Sequence, residues 1–545
     1  MFASSDEPRH RVRAYPSLPR FFVTLGVLSA ALFGAANVSA DESAAAPAPA
    51  STPPFDVLEL RVLGNTTLDA RAIESALYPF TGPAKQMADV EAARAALERI
   101  YHDRGFGTVF VDIPEQSVEN GIVRLHVTEG RLHQVRVTGA KYFSGREIRA
   151  EVPAAQENAV PDLPELQRQL TALNAETRDR TVVPVLKAGP QPGTVDLALR
   201  VEDHLPFHGS VELNNQYTAD TSHLRAVAQA SYDDLFGRLD SFSILYQGAP
   251  ESIEQSHVFA TSYTARLGPG GSTLTFQYVD SKSDVATIGT LGVLGTGEVY
   301  GIRFMQPLPA TGSVQMLAFE MDYKDFKQSV LVNSTSGLNT PVDYINLSAA
   351  YSGSRGTQVV QSDWTTAVNF GFRGVPDNAE QFADKRYEAQ PNYFYIRSDG
   401  GVTLQLPAHF SASLRLTGQY AVDPLISNEQ LPLGGAASVR GYLEAEELGD
   451  SAMRGSFQLG APGLSLVSGR LHVDEFLFYD VARAFTIDPL PDQARHVNLE
   501  SWGVGLMIQG VSHFYGTLTW ADPLLDGSRT LKGASMLLFV VRGYW

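Results

Sequence analysis

The sequence predicts a transmembrane β-barrel of about 16 antiparallel strands, preceded by two small α+β domains. After about Pro206, helical periodicity gives way to segments of about ten or more residues in which large apolar side chains alternate with small or polar ones. Before that point, helix and strand patterns recur twice in the same order. Charged residues are only 19% of the 545, whereas 47 are glycine and 10% are aromatic. This composition is typical of β-structure that faces two different solvents.

The composition also excludes several classes of protein. No cysteine is present, which rules out disulfides, thiolate metal sites, iron–sulfur clusters and a cysteine nucleophile. Acidic residues outnumber basic ones by 60 to 42, and the net charge of −18 argues against nucleic acid as the main partner.

Residues 1–40 have the pattern of a secretory signal peptide. An apolar run over 21–36 leads to the small-x-small site Val38-Ser39-Ala40, and cleavage is expected after Ala40. The alternative, a membrane anchor, is disfavoured because the run is shorter than the ~18–20 residues of a spanning helix. Four arginines precede the run: Arg9, Arg11, Arg13 and Arg20. Residues 41–54 form an Ala/Pro-rich linker.

Residues 55–130 have the pattern of one small α+β domain. The predicted elements follow the order β-α-α-β-β: strand 57–62, helices 68–78 and 89–104, and strands 107–113 and 122–127. The second helix carries the apolar stripe Ala93, Leu97, Ile100 and Tyr101, and Gly105 is a candidate C-cap.

Residues 131–204 repeat the same order. Strand 133–139, helices 144–152 and 163–177, and strands 182–187 and 194–201 are predicted. Both units carry Val-x-Gly after the first strand, at Val62-Leu63-Gly64 and at Val137-Thr138-Gly139. A tandem of this kind after a signal peptide resembles the POTRA (polypeptide-transport-associated) domain, named here POTRA 1 (55–130) and POTRA 2 (131–204). Unrelated α+β repeats are the alternative.

Residues 205–545 are predicted to form the barrel. The clearest alternation runs from Leu317 to Lys324. A soluble sandwich also alternates, but its strands are usually about 5–6 residues long, shorter than a tilted strand that crosses a bilayer. Because backbone polar groups in lipid need internal partners, such a sheet must close, and its polar inner face predicts a hydrated lumen. The turn 306–312 suits the periplasmic side, and the irregular stretch 280–297 suits an external loop.

The C-terminus reads Leu537-x-Phe539-x-Val541-x-Gly543-x-Trp545. Alternate apolar residues ending in an aromatic resemble the signal by which the barrel-assembly machinery recognises outer-membrane barrels. The resemblance assigns that role to Phe539, Val541 and Trp545, although Gly543 departs from the usual aromatic. Trp545 could alternatively be a girdle aromatic only.

The decisive motif is Leu433-Gly434-Gly435-x-x-Ser438-Val439-Arg440-Gly441-Tyr442, in a long stretch at about 422–452. With it, the chain resembles the two-partner secretion transporters (TpsB family, the haemolysin secretion/activation proteins). The resemblance implies two POTRA domains, a 16-stranded outer-membrane barrel in the lipid bilayer, and a loop that folds into the lumen. The tip of that loop is then Val439, Arg440, Gly441 and Tyr442. The family exports one large, unfolded, β-helical exoprotein without nucleotide hydrolysis.

The same resemblance pairs Arg440 with an aspartate in a wall motif F-x-D-x-G. Phe478-Tyr479-Asp480-Val481-Ala482 fits that pattern, with Ala482 in place of the glycine. Alternation puts Phe476 and Phe478 on the face of Asp480, so the pattern does not decide whether that face is the lumen. The predicted Arg440–Asp480 salt bridge therefore depends on the resemblance. Alternatively, Arg440 is a solvated loop arginine.

Three glycines of the motif permit tight turns where φ > 0 is needed. These are Gly434 and Gly435 in the loop turn, and Gly441 at the tip.

Three functions remain open. A protein-exporting transporter leads. A barrel-inserting assembly factor is second but is expected to carry more POTRA repeats, and a passive porin needs no POTRA pair. No metalloprotease, serine-hydrolase or P-loop motif is present, so we expect no enzyme activity, no cofactor and no metal. Some family members carry a plugging N-terminal helix. Residues 41–54 are too short and proline-rich for one, so either the loop alone blocks the lumen or the pore is leakier.

Overall fold

The computed structural model describes residues 54–545 except 254–255, 269, 284–285, 289–290, 294, 328, 333–335, 373–377, 468, 492 and 511–512. The predicted signal peptide and all but the last residue of the predicted linker lie outside the described residues. The described chain divides into two compact units, 54–206 and 207–545. None of the helices in the described ranges combines the length and the apolar composition needed to cross a membrane.

The first half of the N-terminal unit is an α+β domain. Its elements are Phe55–Val57, Glu59–Leu63, helix Ala70–Leu77, Gly82–Lys85, helix Met87–Asp103, Val109–Asp112 and Ile122–Glu129. Ile122–Glu129 is the central strand, parallel to Glu59–Leu63 and antiparallel to Val109–Asp112. The predicted stripe on the second helix is buried at Ala93, Leu97 and Tyr101, and Val90 joins it.

Two details of this domain differ from the prediction. The single strand expected over 57–62 is interrupted at Leu58, because the backbone N–H groups of Leu58 and Glu59 both donate to Gly121 O. A short strand between the helices, Gly82–Lys85, was not expected. It pairs with Phe55–Val57, so the chain segment before the interruption belongs to a separate two-stranded sheet.

The second half of the unit repeats the arrangement. Its elements are Arg131–Thr138, helix Gly145–Ala150, helix Leu163–Ala175, Arg180–Ala188 and Thr194–Asp203. The last strand is again central, parallel to Arg131–Thr138 and antiparallel to Arg180–Ala188. The repeated order predicted from the sequence is therefore present in both halves.

Glu129 joins the two halves of the N-terminal unit. Its carboxylate, which is almost fully buried, accepts hydrogen bonds from the Thr66 N–H at 2.7 Å and the Thr67 N–H at 2.9 Å. Arg131, the first residue of the second half, donates to the same carboxylate at 2.8 Å. Burial alone raises the pKa of Glu129, but these hydrogen bonds outweigh it and the pKa is lowered.

The second unit is a closed antiparallel barrel of 16 strands within the described residues. In chain order these are Phe207–Asn214, Arg225–Leu235, Asp240–Gly248, His257–Leu267, Ser272–Lys282, Gly297–Leu308, Val314–Phe326, Val342–Gly356, Val360–Gly371, Phe394–Gln405, Ser411–Ala421, Ser451–Gly460, Leu471–Phe485, His496–Gly510, Phe514–Pro523 and Met536–Tyr544. The predicted fold class, a barrel of about 16 strands behind an α+β region, is confirmed.

The connections differ in length at the two ends of the barrel. Short turns lie at one end, the short-turn end, at 236–239, 268–271, 309–313, 357–359, 406–410, 461–470 and 511–513. Longer connections lie at the other, the long-loop end, at 215–224, 249–256, 283–296, 327–341, 372–393, 422–450, 486–495 and 524–535. In outer-membrane barrels the short turns are periplasmic and the long loops are external.

Seven shorter strands and a helix accompany the barrel within the described residues. They are Ala286–Ile288, Leu291–Val293, Ser329–Val332, Ser336–Asn339, helix Ala379–Lys385, Leu431–Leu433, Glu447–Gly449 and, beside the strand Leu471–Phe485, Leu464–Leu466. Part of the stretch 280–297, expected to be an irregular loop, is thus a strand end and a small hairpin.

The lumen is partly polar and partly packed. Towards the short-turn end, half-buried inward hydroxyls pair across strands, for example Ser243 with Ser262 at 2.8 Å and Thr264 with Thr275 at 3.0 Å. Towards the long-loop end, inward apolar residues form a buried cluster that includes Val258, Val279, Val299, Phe326 and Val342. The expectation of a hydrated lumen without a packed core is wrong for this end, because loop residues fill the bore.

The last strand closes the barrel against the first. The Trp545 N–H donates to Gly209 O at 3.0 Å, and the Gly209 N–H donates to Trp545 O at 3.2 Å. The Trp545 indole covers Gly209 and leaves no space for a Cβ there. Val541 and Trp545 are exposed on the outer surface, and Phe539 shares their face by alternation.

We predict that Glu129→Gln destabilises the N-terminal unit by about 1–3 kcal/mol, because a buried carboxylate loses charge-assisted hydrogen bonds. Since the native pKa is lowered, the stabilisation is present above the unfolded pKa of about 4.3 and is lost as the pH falls through the native value. Urea unfolding of the full-length protein in detergent, followed by helix ellipticity at pH 7 and pH 4, measures both effects.

The matched control is Glu59→Gln, which removes an exposed carboxylate paired only with Arg61. We expect no measurable change in stability for this variant. Equal stabilities for Glu129→Gln and wild type at pH 7 would contradict the prediction.

Candidate functional site

The sixth long connection, 422–450, folds into the barrel. A two-stranded hairpin flanks its tip. Leu431–Leu433 pairs antiparallel with Glu447–Gly449. Between them Gly434 and Gly435 have φ of +99° and +98°, a conformation that side chains with a Cβ rarely adopt. A Cβ at Gly434 would also lie 2.5 Å from Leu443 O. The two glycines therefore let the chain turn tightly before the loop tip.

Arg440 at the loop tip binds Asp480 on the barrel wall through two parallel hydrogen bonds. Its Nε donates to Oδ2 and its Nη2 to Oδ1, both at 2.7 Å, and its own backbone N–H donates to Oδ2 at 3.1 Å. The Asp480 side chain is fully buried, and that of Arg440 is 14% exposed. A planar guanidinium is suited to this two-point recognition of a carboxylate.

Two neighbouring polar side chains complete the hydrogen bonding of the pair. Arg440 Nη2 donates to Ser456 Oγ at 2.9 Å, and Nη1 donates to Gln458 Oε1 at 3.2 Å. Ser456 in turn donates to Asp480 Oδ1 at 2.6 Å. Sequence analysis missed Ser456 and Gln458. The signal available was their spacing of two residues, which puts both polar groups on one face of the strand Ser451–Gly460.

Phe476 and Phe478 face the lumen beneath the guanidinium. Arg440 Cζ lies 3.5 Å from the ring centroid of Phe478 and 5.9 Å from that of Phe476. The aromatic faces attract the cation, which gives the two apolar residues a function on the inner wall. This contact resolves the orientation that alternation left open.

Two glycines on the adjacent strand make space for these rings. Gly503 lies opposite Phe478, and Gly505 lies opposite Phe476. A Cβ at Gly503 would lie 2.5 Å from Phe478 Cζ, and one at Gly505 would lie 2.7 Å from Phe476 Cε2. The sequence Gly503-x-Gly505 is therefore part of the site, although no motif pointed to it.

The rest of the tip motif is buried against the wall. Tyr442 donates to Glu500 O or Leu525 O, both at 2.9 Å, and Val439 is fully buried. Gly441 has φ of +95°, and a Cβ there would lie 3.2 Å from Ala521 Cβ. All four tip residues thus contact or bond to the barrel or its connections.

Two known protein families match this sequence. The POTRA domain of ShlB type matches residues 55–130. The family described as haemolysin secretion/activation protein ShlB/FhaC/HecB matches residues 193–507, more than half of the chain.

The chain belongs to this family. It is therefore an outer-membrane transporter of two-partner secretion, a system in which each transporter is paired with a secreted exoprotein. Among similar proteins, the outer membrane transporter CdiB of Dickeya dadantii (strain 3937) is 24% identical over 419 residues, which cover 72% of this chain and 70% of that protein. The heme/hemopexin transporter protein HuxB of Haemophilus influenzae is 22% identical over 501 residues, covering 86% and 84%.

Solved structures share the fold of this haemolysin secretion/activation family member. CdiB from Escherichia coli aligns with a TM-score of 0.58 at 18% identity and covers 93% of each chain. BamA from Haemophilus ducreyi lacking POTRA domains 1–3 aligns with a TM-score of 0.54 at 14% identity, covering 90% of this chain and all of that one. At these identities the similarity establishes the fold alone.

We predict that Asp480→Asn frees the loop tip, because removing one partner of a buried pair costs about 3–5 kcal/mol. A cysteine introduced as Val439→Cys is unique in this cysteine-free chain and reports the change. Its rate of labelling by a maleimide in intact outer membranes should rise at least about tenfold when Asp480→Asn is added.

The control is Glu475→Gln on the same strand, whose side chain is exposed on the opposite face. It should leave the labelling rate of Val439→Cys unchanged. Equal rates with Asp480 and with Asn at position 480 would show that the pair does not hold the tip.

Proposed function

We propose that this transporter receives its exoprotein in an unfolded, extended state through the N-terminal domains and passes it through the barrel lumen to the cell exterior. The in-folded loop stays fixed to the wall at its tip by Arg440 and Asp480 while the polypeptide passes. Nucleotide hydrolysis and catalysis have no part in this proposal.

The buried Arg440–Asp480 pair is the observation that carries the proposal. A long loop that enters a hydrated bore is not stabilised there unless its tip is bound to the wall. Here the cation has two carboxylate hydrogen bonds, two further polar acceptors and an aromatic surface. Such an arrangement fixes position and orientation together. It thus suits a pivot about which the rest of the loop moves.

The receiving site is proposed to be the outer edge of the strand Glu59–Leu63. An extended polypeptide adds to a free sheet edge through main-chain hydrogen bonds, so a usable edge must have its backbone groups unoccupied. Each of the two three-stranded sheets has two edge strands. The other three edges are partly occupied.

Side chains or neighbouring backbone occupy those three edges. In Val109–Asp112, Arg94 donates to Val111 O at 3.2 Å. In Arg131–Thr138, the Leu132 N–H donates to Ala159 O at 2.9 Å. In Arg180–Ala188, the Val182 N–H donates to Asn174 Oδ1 at 2.8 Å, and Pro184 has no N–H to offer. In the described part of the N-terminal unit, no hydrogen bond of this kind occupies the backbone groups on the outer edge of Glu59–Leu63.

The outer surface supports the two remaining partners. Leu537, Val541 and Trp545 are each about half exposed on the last strand, as lipid contact requires. We propose the bilayer as the surrounding of this face, and Phe539, Val541 and Trp545 as the residues by which the barrel-assembly machinery recognises the new chain.

We predict that Arg440→Ala abolishes secretion while the barrel still inserts, because the wall strands retain their own pairing. In the native host, deletion of the transporter should leave one large polypeptide, the exoprotein, missing from the culture medium. Wild-type transporter supplied in trans should restore that polypeptide, and Arg440→Ala should not. Insertion is checked by heat-modifiable migration of outer-membrane fractions.

The control is Arg415→Ala, which removes a wall arginine that binds Asp399 at 2.6 Å. It should secrete within about twofold of wild type, because this pair joins wall strands only and Asp399 keeps the Thr417 hydroxyl as a donor at 2.6 Å. Full secretion by Arg440→Ala would end the proposed role of the pair.

We further predict that a photoreactive residue at Arg61 crosslinks to the exoprotein in cells. The same residue at Lys187, on an occupied edge, should give at least about tenfold less product, because main-chain pairing brings the client within reach of only the free edge. Equal crosslinking at both positions, or crosslinking at Lys187 alone, would assign reception to another surface.

A further inference from the structure

A buried cluster that does not include the tip motif lies inside the lumen at the long-loop end. The cluster, named here the cap, contains Phe382 from the helix Ala379–Lys385, Leu425 and Ile426 from the in-folded loop, and inward residues of the wall. Each buried member of the cap is at most 9% exposed. Leu245 on the third barrel strand and Ala421 on the eleventh both pack in it. The cap therefore follows the inner wall along about half of the barrel circumference, from the third strand to the eleventh.

Aromatic contacts fix the helix of the cap to the wall. The ring centroid of Phe382 lies 5.4 Å from that of Tyr344 in an edge-to-face arrangement and 6.2 Å from that of Tyr393. Tyr393 stacks on Tyr395 at 6.0 Å. Such contacts add to the apolar burial and hold the helix inside the bore against the wall.

A buried carboxylate ties the in-folded loop to the same layer. Glu429 is fully buried, and Lys324 Nζ lies 2.6 Å from its Oε1. Tyr344 and Tyr395 donate their hydroxyl protons to the two carboxylate oxygens, at 2.5 and 2.8 Å. All partners are on the wall, so Glu429 anchors the loop near its beginning, remote in sequence from the tip.

A second buried carboxylate joins three connections at one point. Asp450, the last residue of the in-folded loop, accepts hydrogen bonds from the two terminal guanidinium nitrogens of Arg386, at 2.5 and 2.7 Å. It also accepts the N–H groups of Leu425 and Ile487. Arg386 donates further to the carbonyl groups of the same two residues, at 2.8 and 2.9 Å. One guanidinium therefore holds together the fifth, sixth and seventh long connections.

We propose that the Arg386–Asp450 pair is the latch of the cap and a separate element from the Arg440–Asp480 anchor. Opening the latch moves the helix Ala379–Lys385 and the beginning of the in-folded loop out of the bore, while the loop tip remains on the wall. This inference rests on the proposed export through the lumen. The conductance of the resting pore, however, can be measured without any client.

The physical basis is the difference in surroundings between the two arginines. The partners of Arg440 lie on continuous barrel strands, and its guanidinium stacks on Phe478. The partners of Arg386 belong to connections at the long-loop end, and Asp450 keeps three further N–H donors when Arg386 is removed: Leu425 N–H, Ile487 N–H and Gln430 Nε2. Loss of Arg386 thus disconnects the helix from the loop without leaving the carboxylate bare.

The test combines conductance and secretion in full-length protein. Purified Arg386→Gln in planar bilayers with KCl should conduct at least about tenfold more than wild type at rest, since the helix and the beginning of the loop are no longer held inside the bore. Secretion of the exoprotein should continue. Arg529→Gln, an exposed arginine at the same end that pairs with Asp220, is the control and should leave conductance unchanged.

A reversible crosslink tests the proposal in a single protein. The double variant Arg386→Cys/Asp450→Cys, in a chain with no other cysteine, can be joined by a reducible bifunctional thiol reagent. Joined, it should be silent in bilayers and should not secrete, and reduction should restore both. Wild-type conductance in Arg386→Gln would overturn the latch. A joined protein that stays silent yet secretes normally would instead overturn export through the lumen.

Discussion

A charged guanidinium in the interior of a membrane-spanning barrel is the constraint on which the site depends. Removing a cation from water is costly, and it is tolerated only where a carboxylate and further acceptors surround it. Arg440 meets this requirement with Asp480, Ser456 and Gln458, and its face lies on Phe478. Every one of these partners is on the wall, so the loop can satisfy its arginine in one position only. The geometry of the loop follows from that condition.

The same principle, repeated with other residues, divides the in-folded loop into regions. Glu429 near its beginning and Asp450 at its end are both fully buried, and each has a cation from another part of the barrel. Three ion pairs thus fix three points of one connection. Between the tip and Asp450, the Glu446 carboxylate accepts hydrogen bonds from the Arg529 N–H, the Thr530 N–H and the Thr530 hydroxyl, so this part of the loop is held to the last long connection as well.

Membership of the haemolysin secretion/activation family fits this arrangement of a closed barrel behind a tandem of small α+β domains. The fold is shared with BamA as well as with CdiB, so fold alone does not separate secretion from barrel assembly. The match of the secretion family to more than half of the chain makes that distinction. The free edge of Glu59–Leu63 and the buried cluster inside the bore are features of this chain that the shared fold leaves open.

The sequence by itself determined the barrel, the repeated α+β order and the motif at the loop tip, because periodicity and glycine placement are local properties of the chain. Alternation could not assign the face of Asp480, since Phe476 and Phe478 look like lipid-facing residues until a cation lies over them. It equally missed Gly503, Gly505 and the packed long-loop end. These depend on which strands become neighbours and on what fills the bore between them. Only the tertiary structure brings Asp450 into contact with Arg386 and Ile487, because such contacts join residues that are distant along the chain.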